Sequence, residues 1–451
     1  MIKRVLFVNP NFLLRKKFDF DLTYPLGIIY IAAVLEKEGY EVNVIDANAL
    51  NLSNEQIVKE SEKFKPDIIG ISCNFAPLHN PTLRLAGVIK DNLGIPVAIG
   101  GNHACALKDT FINNKNIDFV LKGESEYSFL DLIRAINDKR GLDKVKGLIY
   151  KNLGKVFETK LPSVIPDLNR LPMPSFHLLP LELYGRYSII TSRGCPFNCS
   201  YCASKVVFGK NVRYRAPESV LEEIEFLIKN YGDKVVWFCD DTFTSDEEYI
   251  LKFCNLVESR NLKFSWRCHT HVTRVSEDML ERMKKAGCFC IVFGVESGSQ
   301  KILKKMHKAM TREHVIDAIK KTKDAGIDAA AFFMIGMLGE DLDTIMETYR
   351  LVSEASPDSA SFCITLPLPG TELFDELSAK KFLDLAELKW DYFFARIPGH
   401  REEEHYAATL ASKWTGIPPK VLIQACIAGD RIARSKNGFD ETQVRNELIF
   451  Q

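Results

Sequence analysis

The chain has 451 residues, 46% of them hydrophobic, which is enough for two or three domains, each with its own core. Lysine plus arginine and aspartate plus glutamate both number 59; this neutral balance, with no long basic run, gives no electrostatic ground for binding nucleic acid or an anionic membrane. No apolar run approaches the roughly 20 residues that cross a bilayer, and Met1-Ile2-Lys3-Arg4-Val5-Leu6-Phe7-Val8 is too short in its apolar part for a secretory signal. The expected compartment is the cytoplasm, where twelve cysteines point to metal or catalysis rather than a disulfide scaffold.

Residues 1–146 alternate short apolar runs with helix-length amphipathic stretches. Strands are predicted at Val5–Asn9, Glu41–Asp46, Ile68–Ser72, Val97–Gly100 and Asp118–Leu121, and helices near Gly27–Glu38, Asn54–Lys63, Pro81–Asn92 and Tyr127–Asp138. Apolar, non-alternating strands separated by helices imply a parallel, doubly wound sheet covered on both faces. The strands end at turn or polar residues, where ligands of such sheets sit. Residues 147–186 read as a hairpin about Asn152-Leu153-Gly154 followed by a proline-rich linker.

Alternation resumes in residues 187–375. Strands are predicted at Ser188–Ser192, Val235–Cys239, Lys263–Cys268, Cys290–Val295, Ala329–Ile335 and Ser359–Thr365, with helices between them. Six such units predict a partial or complete (β/α) barrel with its chemistry at the carboxyl ends of the strands. Residues 376–451 read as helical, broken at Pro398-Gly399 and Pro418-Pro419. Within them, Trp390–Arg396 and His400–His405 read either as a cover over the barrel mouth or as helical packing.

Cys195, Cys199 and Cys202 lie within eight residues, on a loop after a predicted strand. Three thiolates can ligate three irons of a [4Fe–4S] cluster and leave the fourth open to substrate. A structural zinc site asks for four ligands and a second pair at matching spacing, which the chain lacks. Cys-x3-Cys-x2-Cys, with the aromatic Tyr201 before the last cysteine, resembles the signature of radical S-adenosylmethionine (SAM) enzymes. That resemblance implies a cluster whose open iron binds SAM and whose electron releases a 5′-deoxyadenosyl radical.

The same resemblance extends along most of the chain. It places Phe197 and Tyr201 beside SAM, and Asp240 or Asp241 after the second barrel strand at its ammonium group. The alternative for these carboxylates is a cap on the helix that follows. Glu296 and Ser297, in Gly294-Val295-Glu296-Ser297-Gly298-Ser299, match the family's ribose-contacting turn. His269 is read either as a SAM contact or as an interior histidine, and Lys308 either as a partner for the SAM carboxylate or as a solvated lysine.

The first 146 residues resemble the cobalamin-binding domain fused to a subset of these enzymes. The resemblance assigns cobalamin contacts to Asn9, Leu26, Gly27, Asp46, Ser72, Asn74, Gly100, Gly101, His103, Gly123 and Glu124. No Asp-x-His-x-x-Gly motif occurs, so the expectation is cobalamin without a protein histidine on cobalt, its lower axial side facing Ser72–Pro77. A flavodoxin-like domain that has lost its cofactor is the alternative. The implied activity is a cobalamin-dependent radical SAM methyltransferase that methylates an unactivated carbon of a small-molecule or peptide substrate through methylcobalamin. It would draw on an external low-potential electron donor. A radical cyclase or rearrangement enzyme, and a cobalamin or iron–sulfur sensor, remain as alternatives.

Overall fold

The computed structural model of the protein describes residues 1–12, 22–161, 164–393, 401–435 and 439–449. The chain divides into two compact units. The first holds Met1–Ser188, Ala203–Arg215 and Glu223–Gly232; the second holds Ile189–Cys202, Ala216–Glu222 and Asp233–Gln451.

In the first unit, β1 (Arg4–Asn9), β2 (Glu41–Asp46), β3 (Ile68–Ser72), β4 (Val97–Gly100) and β5 (Phe119–Leu121) alternate with helices. They pair in parallel in the order β2-β1-β3-β4-β5. β3 is buried along its whole length, as cover on both faces requires. A Cβ at Gly70 of β3 would stand 2.5 Å from the Phe7 ring, so this glycine lets Phe7 pack across the sheet against Phe129.

β6 (Leu148–Asn152) and β7 (Lys155–Glu158) form the expected hairpin, which extends this same sheet antiparallel beyond β5. β7 is an exposed edge. Glu158 on it pairs with Lys108 and Lys122, charges of the kind that discourage edge-to-edge association. The proline-rich segment that follows also packs on the first unit. Ser175 N donates to Ile29 O at 3.1 Å, the Tyr184 hydroxyl bonds to Asp46, and Tyr24 OH donates to Ser188 O at 2.7 Å.

β8 (Arg186–Ile189) ends on the first residue of the second unit. The short strands β9 (Ser192–Arg193) and β10 (Arg213–Tyr214) follow it in the chain. The second sheet then takes β11 (Val235–Phe238), β12 (Trp266–Thr270), β13 (Cys288–Glu296), β14 (Asp328–Ile335) and β15 (Ser359–Ile364). Its order is β15-β14-β13-β12-β11-β8, with β11 to β15 parallel. β15 and β8 are its two edges, so the sheet is open. Helices Glu247–Ser259, Glu277–Lys285, Arg312–Asp324 and Leu342–Ala355 each begin on a side-chain cap, from Asp246, Ser276, Thr311 and Asp341.

β12 differs from expectation: it starts at Trp266 instead of Lys263 and runs to Thr270. Trp266 sets this register. Its backbone N–H bonds to Gly287 O at 3.1 Å and its indole N–H to Ala286 O at 2.7 Å, with the ring fully buried. Helices Arg401–Thr415, Pro419–Arg434 and Glu441–Ile449 complete the chain. Trp414 donates to Gly336 O at 2.8 Å and Tyr349 to Ala425 O at 2.5 Å. Of the expected cover, Trp390–Tyr392 forms a short 3₁₀ turn and 401–405 begin helix Arg401–Thr415, whereas 394–396 and 400 lie outside the described residues. No helix among the described residues is long and apolar enough to cross a membrane.

Candidate active site

The cysteine loop springs from β9 through Gly194, whose φ of 98° is available to glycine at no steric cost. Its middle is pinned at Ser200. Ser200 N donates to Met306 O at 2.9 Å, its hydroxyl to Lys305 O at 3.1 Å, and Leu373 N donates to Ser200 O at 2.9 Å. Cys202 N bonds back to Cys199 O at 3.3 Å, placing those two thiols on one turn. All three cysteines are half-buried and none is in a disulfide. Cys195 Sγ lies 3.4 Å from the Thr242 hydroxyl, and burial pushes the Cys199 thiol above its ordinary range.

Among the described residues, no three His, Cys, Asp or Glu side chains stand close enough together to hold a metal ion. The donor set nonetheless fits an iron–sulfur cluster: three soft sulfur ligands on one half-buried loop, with no carboxylate in the loop to compete.

Beside the loop, three predicted SAM residues come together. Tyr201 OH donates to Glu296 Oε1 at 2.9 Å, and Lys308 Nζ lies 3.3 Å from both Glu296 Oε1 and Tyr201 OH. Lys308 and Glu296 side chains are only 7% and 11% exposed. Burial, with Glu296 second, holds the Tyr201 phenol well above its ordinary range, so it stays a donor. Lys308 is thus part of this buried group, not a solvated lysine. A Cβ at Gly294 would lie 2.6 Å from Glu296 Oε1 and 3.2 Å from Lys308 Nζ, so that glycine leaves room for the group.

The other predicted SAM residues are placed differently. Asp240 is buried, and its carboxylate accepts from Thr191 N at 3.1 Å, Thr191 Oγ1 at 2.7 Å and both N and Oγ of Ser192. Its carboxylate is occupied in holding the segment that leads into the cysteine loop. Asp241 is exposed beside it. Ser297 turns inward, accepting from Ser299 N at 3.1 Å and lying 3.3 Å from the Thr348 hydroxyl. Its hydroxyl thus braces the turn. His269 packs edge-on against Trp237, 5.4 Å between centroids. Phe197 stacks on His271 at 3.9 Å and 17°. Sequence reasoning passed over His271, because β12 was expected to end at Cys268.

In the first unit, Asn9 and Asp46 are register partners at the ends of β1 and β2, joined by an Asn9 Nδ2–Asp46 Oδ1 bond of 2.9 Å. Asp46 also accepts from Asn48 N, Ala49 N and the Tyr184 hydroxyl. Leu26 and Gly27 open helix Leu26–Lys37, and among the described residues beyond its chain neighbours and the helix's own backbone no atom comes within 4 Å of where a Gly27 Cβ would sit. Ser72 accepts from Asn74 Nδ2 at 2.9 Å. Gly101, after Gly100, has φ 108°, and a Cβ there would lie 2.7 Å from Cys73 O. Packing of the β3 loop thus suffices to require this glycine. His103 is buried, with Nε2 3.0 Å from His79 Nδ1, and burial pushes its pKa down to about 3.

Gly123 has φ 71°. Glu124 after it is drawn inward: it pairs with Arg213 at 2.6 Å and accepts from Ile165 N at 2.6 Å. That carboxylate is a buried structural anion, in contrast to the expected cofactor contact. Gly27, with open space at its Cβ position, and the exposed Asn74 and the apolar face of Phe75 after β3 are of the kind that suits a corrin edge.

Comparison with known proteins accords with both halves. A model of the radical SAM superfamily matches residues 189–352, and one of the B12 binding domain matches residues 17–133. An uncharacterized methyltransferase of Pyrococcus horikoshii is 32% identical over 413 residues, covering 89% of each chain. Cytidylyl-2-hydroxyethylphosphonate methyltransferase of Streptomyces wedmorensis is 29% identical, covering 91% of this chain and 89% of its own. Anaerobic magnesium-protoporphyrin IX monomethyl ester cyclase of Rubrivivax gelatinosus is 31% identical, covering 84% and 70%. The solved structure of the radical SAM methyltransferase TsrM from Kitasatospora setae, with cobalamin and [4Fe–4S] cluster bound, shares the fold. Its TM-score is 0.73 at 18% identity, over 90% of this chain and 84% of that one. The cysteine loop, the strand-end residues and the length of these matches agree: the chain belongs to the radical SAM enzymes that carry an N-terminal B12-binding domain, with [4Fe–4S], SAM and cobalamin as cofactors.

Proposed function

We propose that the protein is a cobalamin-dependent radical SAM methyltransferase that methylates an unactivated carbon of a small organic molecule. The likeness to two methyltransferases across both modules, at 32% and 29% identity, carries this reading. Cys195, Cys199 and Cys202 would hold the cluster. Lys308, Glu296 and Tyr201 would form the polar wall against SAM: Lys308 would offer an ammonium to its carboxylate, and Glu296 an acceptor to its ribose hydroxyls. Asn9, Gly27, Ser72, Asn74 and Gly100 would line the cobalamin rim. When bound, the cluster supplies the electron that cleaves SAM, and cobalamin supplies a carrier for the methyl group. The chain itself orients these groups, excludes water around Tyr201 and Glu296, and keeps the tyrosine proton in place. An external low-potential donor would deliver the electrons.

The test is anaerobic reconstitution with iron, sulfide and hydroxocobalamin, followed by SAM and a strong reductant. The methyltransferase reading expects a retained corrin absorption and both S-adenosylhomocysteine and 5′-deoxyadenosine. The cyclase relative at 31% identity supports a second reading. 5′-Deoxyadenosine without any S-adenosylhomocysteine would favour it and sink the first.

A further inference from the structure

We propose that His271 is a positioning residue of the iron–sulfur site: its ring holds the middle of the cysteine loop, and its Nε2–H is a donor kept for an anionic acceptor that the cofactors bring. That acceptor is either a cluster sulfur or the SAM carboxylate. His271 is the first residue after β12 and is only 4% exposed. Its imidazole lies flat on Phe197, between Cys195 and Cys199 in the chain, and Arg274 stands over the same phenyl ring at 5.7 Å.

The tautomer follows from the hydrogen bonds. Thr273 N is 3.3 Å from His271 Nδ1, and a backbone N–H can only donate, so Nδ1 carries the lone pair. The Thr273 hydroxyl, 2.8 Å away, can donate to the same nitrogen. Burial, then Lys308, Arg274 and His314, push the His271 pKa down to about 3, so the ring is neutral. The remaining proton is therefore on Nε2, which is buried and has no hydrogen-bond partner among the described residues. A buried donor left unmade is costly and calls for a missing partner. The ionisable neighbours that act on the ring are cations or donors, so the partner they suit is an anion.

This inference rests on the cluster assignment in the proposed function. The experiment compares reconstituted wild type with His271→Phe, which keeps a flat ring against Phe197 and removes the donor, and with His271→Ala, which removes both. Thr273→Ala, which leaves the backbone donor in place, is the control. Cluster content is read by iron and sulfide assay, the midpoint potential by EPR-monitored titration, and SAM affinity by equilibrium dialysis. His271→Phe is expected to take up the full iron complement, and His271→Ala to take up less. If a sulfur is the acceptor, the His271→Phe potential falls below wild type before SAM is added, because a lost donor destabilises the more negative reduced cluster. If the SAM carboxylate is the acceptor, the potential without SAM is unchanged and the SAM dissociation constant rises roughly tenfold or more. Wild-type potential and SAM affinity in a fully loaded His271→Phe enzyme overturn the proposal, as does loss of iron from that variant equal to the loss in His271→Ala. Failure of wild type itself to take up iron would instead count against the cluster assignment.

Discussion

At Glu296 the backbone takes φ 71°, a left-handed conformation that is uncommon away from glycine. The residue is held there by the Tyr201 and Lys308 bonds to its carboxylate, so the local strain is spent on aiming one acceptor. Gly294→Ala would drive a methyl group into that acceptor. We expect a stability loss of about 1–3 kcal/mol by urea unfolding, with SAM affinity in equilibrium dialysis reduced more than cluster content. Glu340 is a different case. It is buried, accepts from Met337 N at 3.2 Å and from Gly336 N, and burial raises its pKa from 4.5 to about 8. The folded protein therefore keeps a proton that the unfolded chain releases between those values. Its contribution to stability is complete below about pH 4.5 and declines by about 1.4 kcal/mol per pH unit toward pH 8. Denaturant titrations from pH 6 to 8 should show this decline in wild type and a flatter profile in Glu340→Gln. Unchanged slopes would refute it.

Helix Leu342–Ala355 shows how an element transmits placement. Asp341 caps it in a reciprocal pair with Thr344, and one turn further on Thr348 accepts from Gly298 N at 2.9 Å. A Cβ at Gly298 would stand 2.6 Å from Glu347 O and Thr348 Cα, backbone that cannot give way cheaply. Asp341→Ala is expected to cost about 1 kcal/mol in equilibrium unfolding. Gly298→Ala should cost more, because the helix must back away from the turn that carries Glu296. Equal losses would show that the helix adjusts freely. The caps at Ser53, Asp246, Ser276, Thr311 and Asp341 are legible in sequence because the partner is three residues away. The start of β12 was not, because Trp266 fixes it through Ala286 and Gly287, which are distant in sequence.

For the molecule as a whole, legibility followed sequence distance. Cys195, Cys199 and Cys202 declare themselves within one loop, and the strand–helix alternation in each half was plain. The roles of Asp240 and Glu124 were hidden, because their partners Thr191, Ser192 and Arg213 lie 48 to 89 residues away. The Glu124–Arg213 pair bears on how the first unit can be made. A fragment ending at Ser188 would lack Arg213 and leave a carboxylate of 0% side-chain exposure without its cation. A broken buried pair costs about 3–5 kcal/mol, so residues 1–188 should aggregate or unfold, and Glu124→Gln should recover soluble fragment. Wild-type solubility of the short fragment would contradict this. The chain order has a historical consequence as well. Ile189–Cys202 belongs to the second unit but is bracketed in sequence by Ser188 and Ala203 of the first. No single crossover in the gene can then exchange one module for a homologous one without severing either the metal loop or the segment carrying Arg213. The two modules are constrained to descend together, and new substrate preferences in this lineage should arise by substitution within the chain more readily than by domain shuffling.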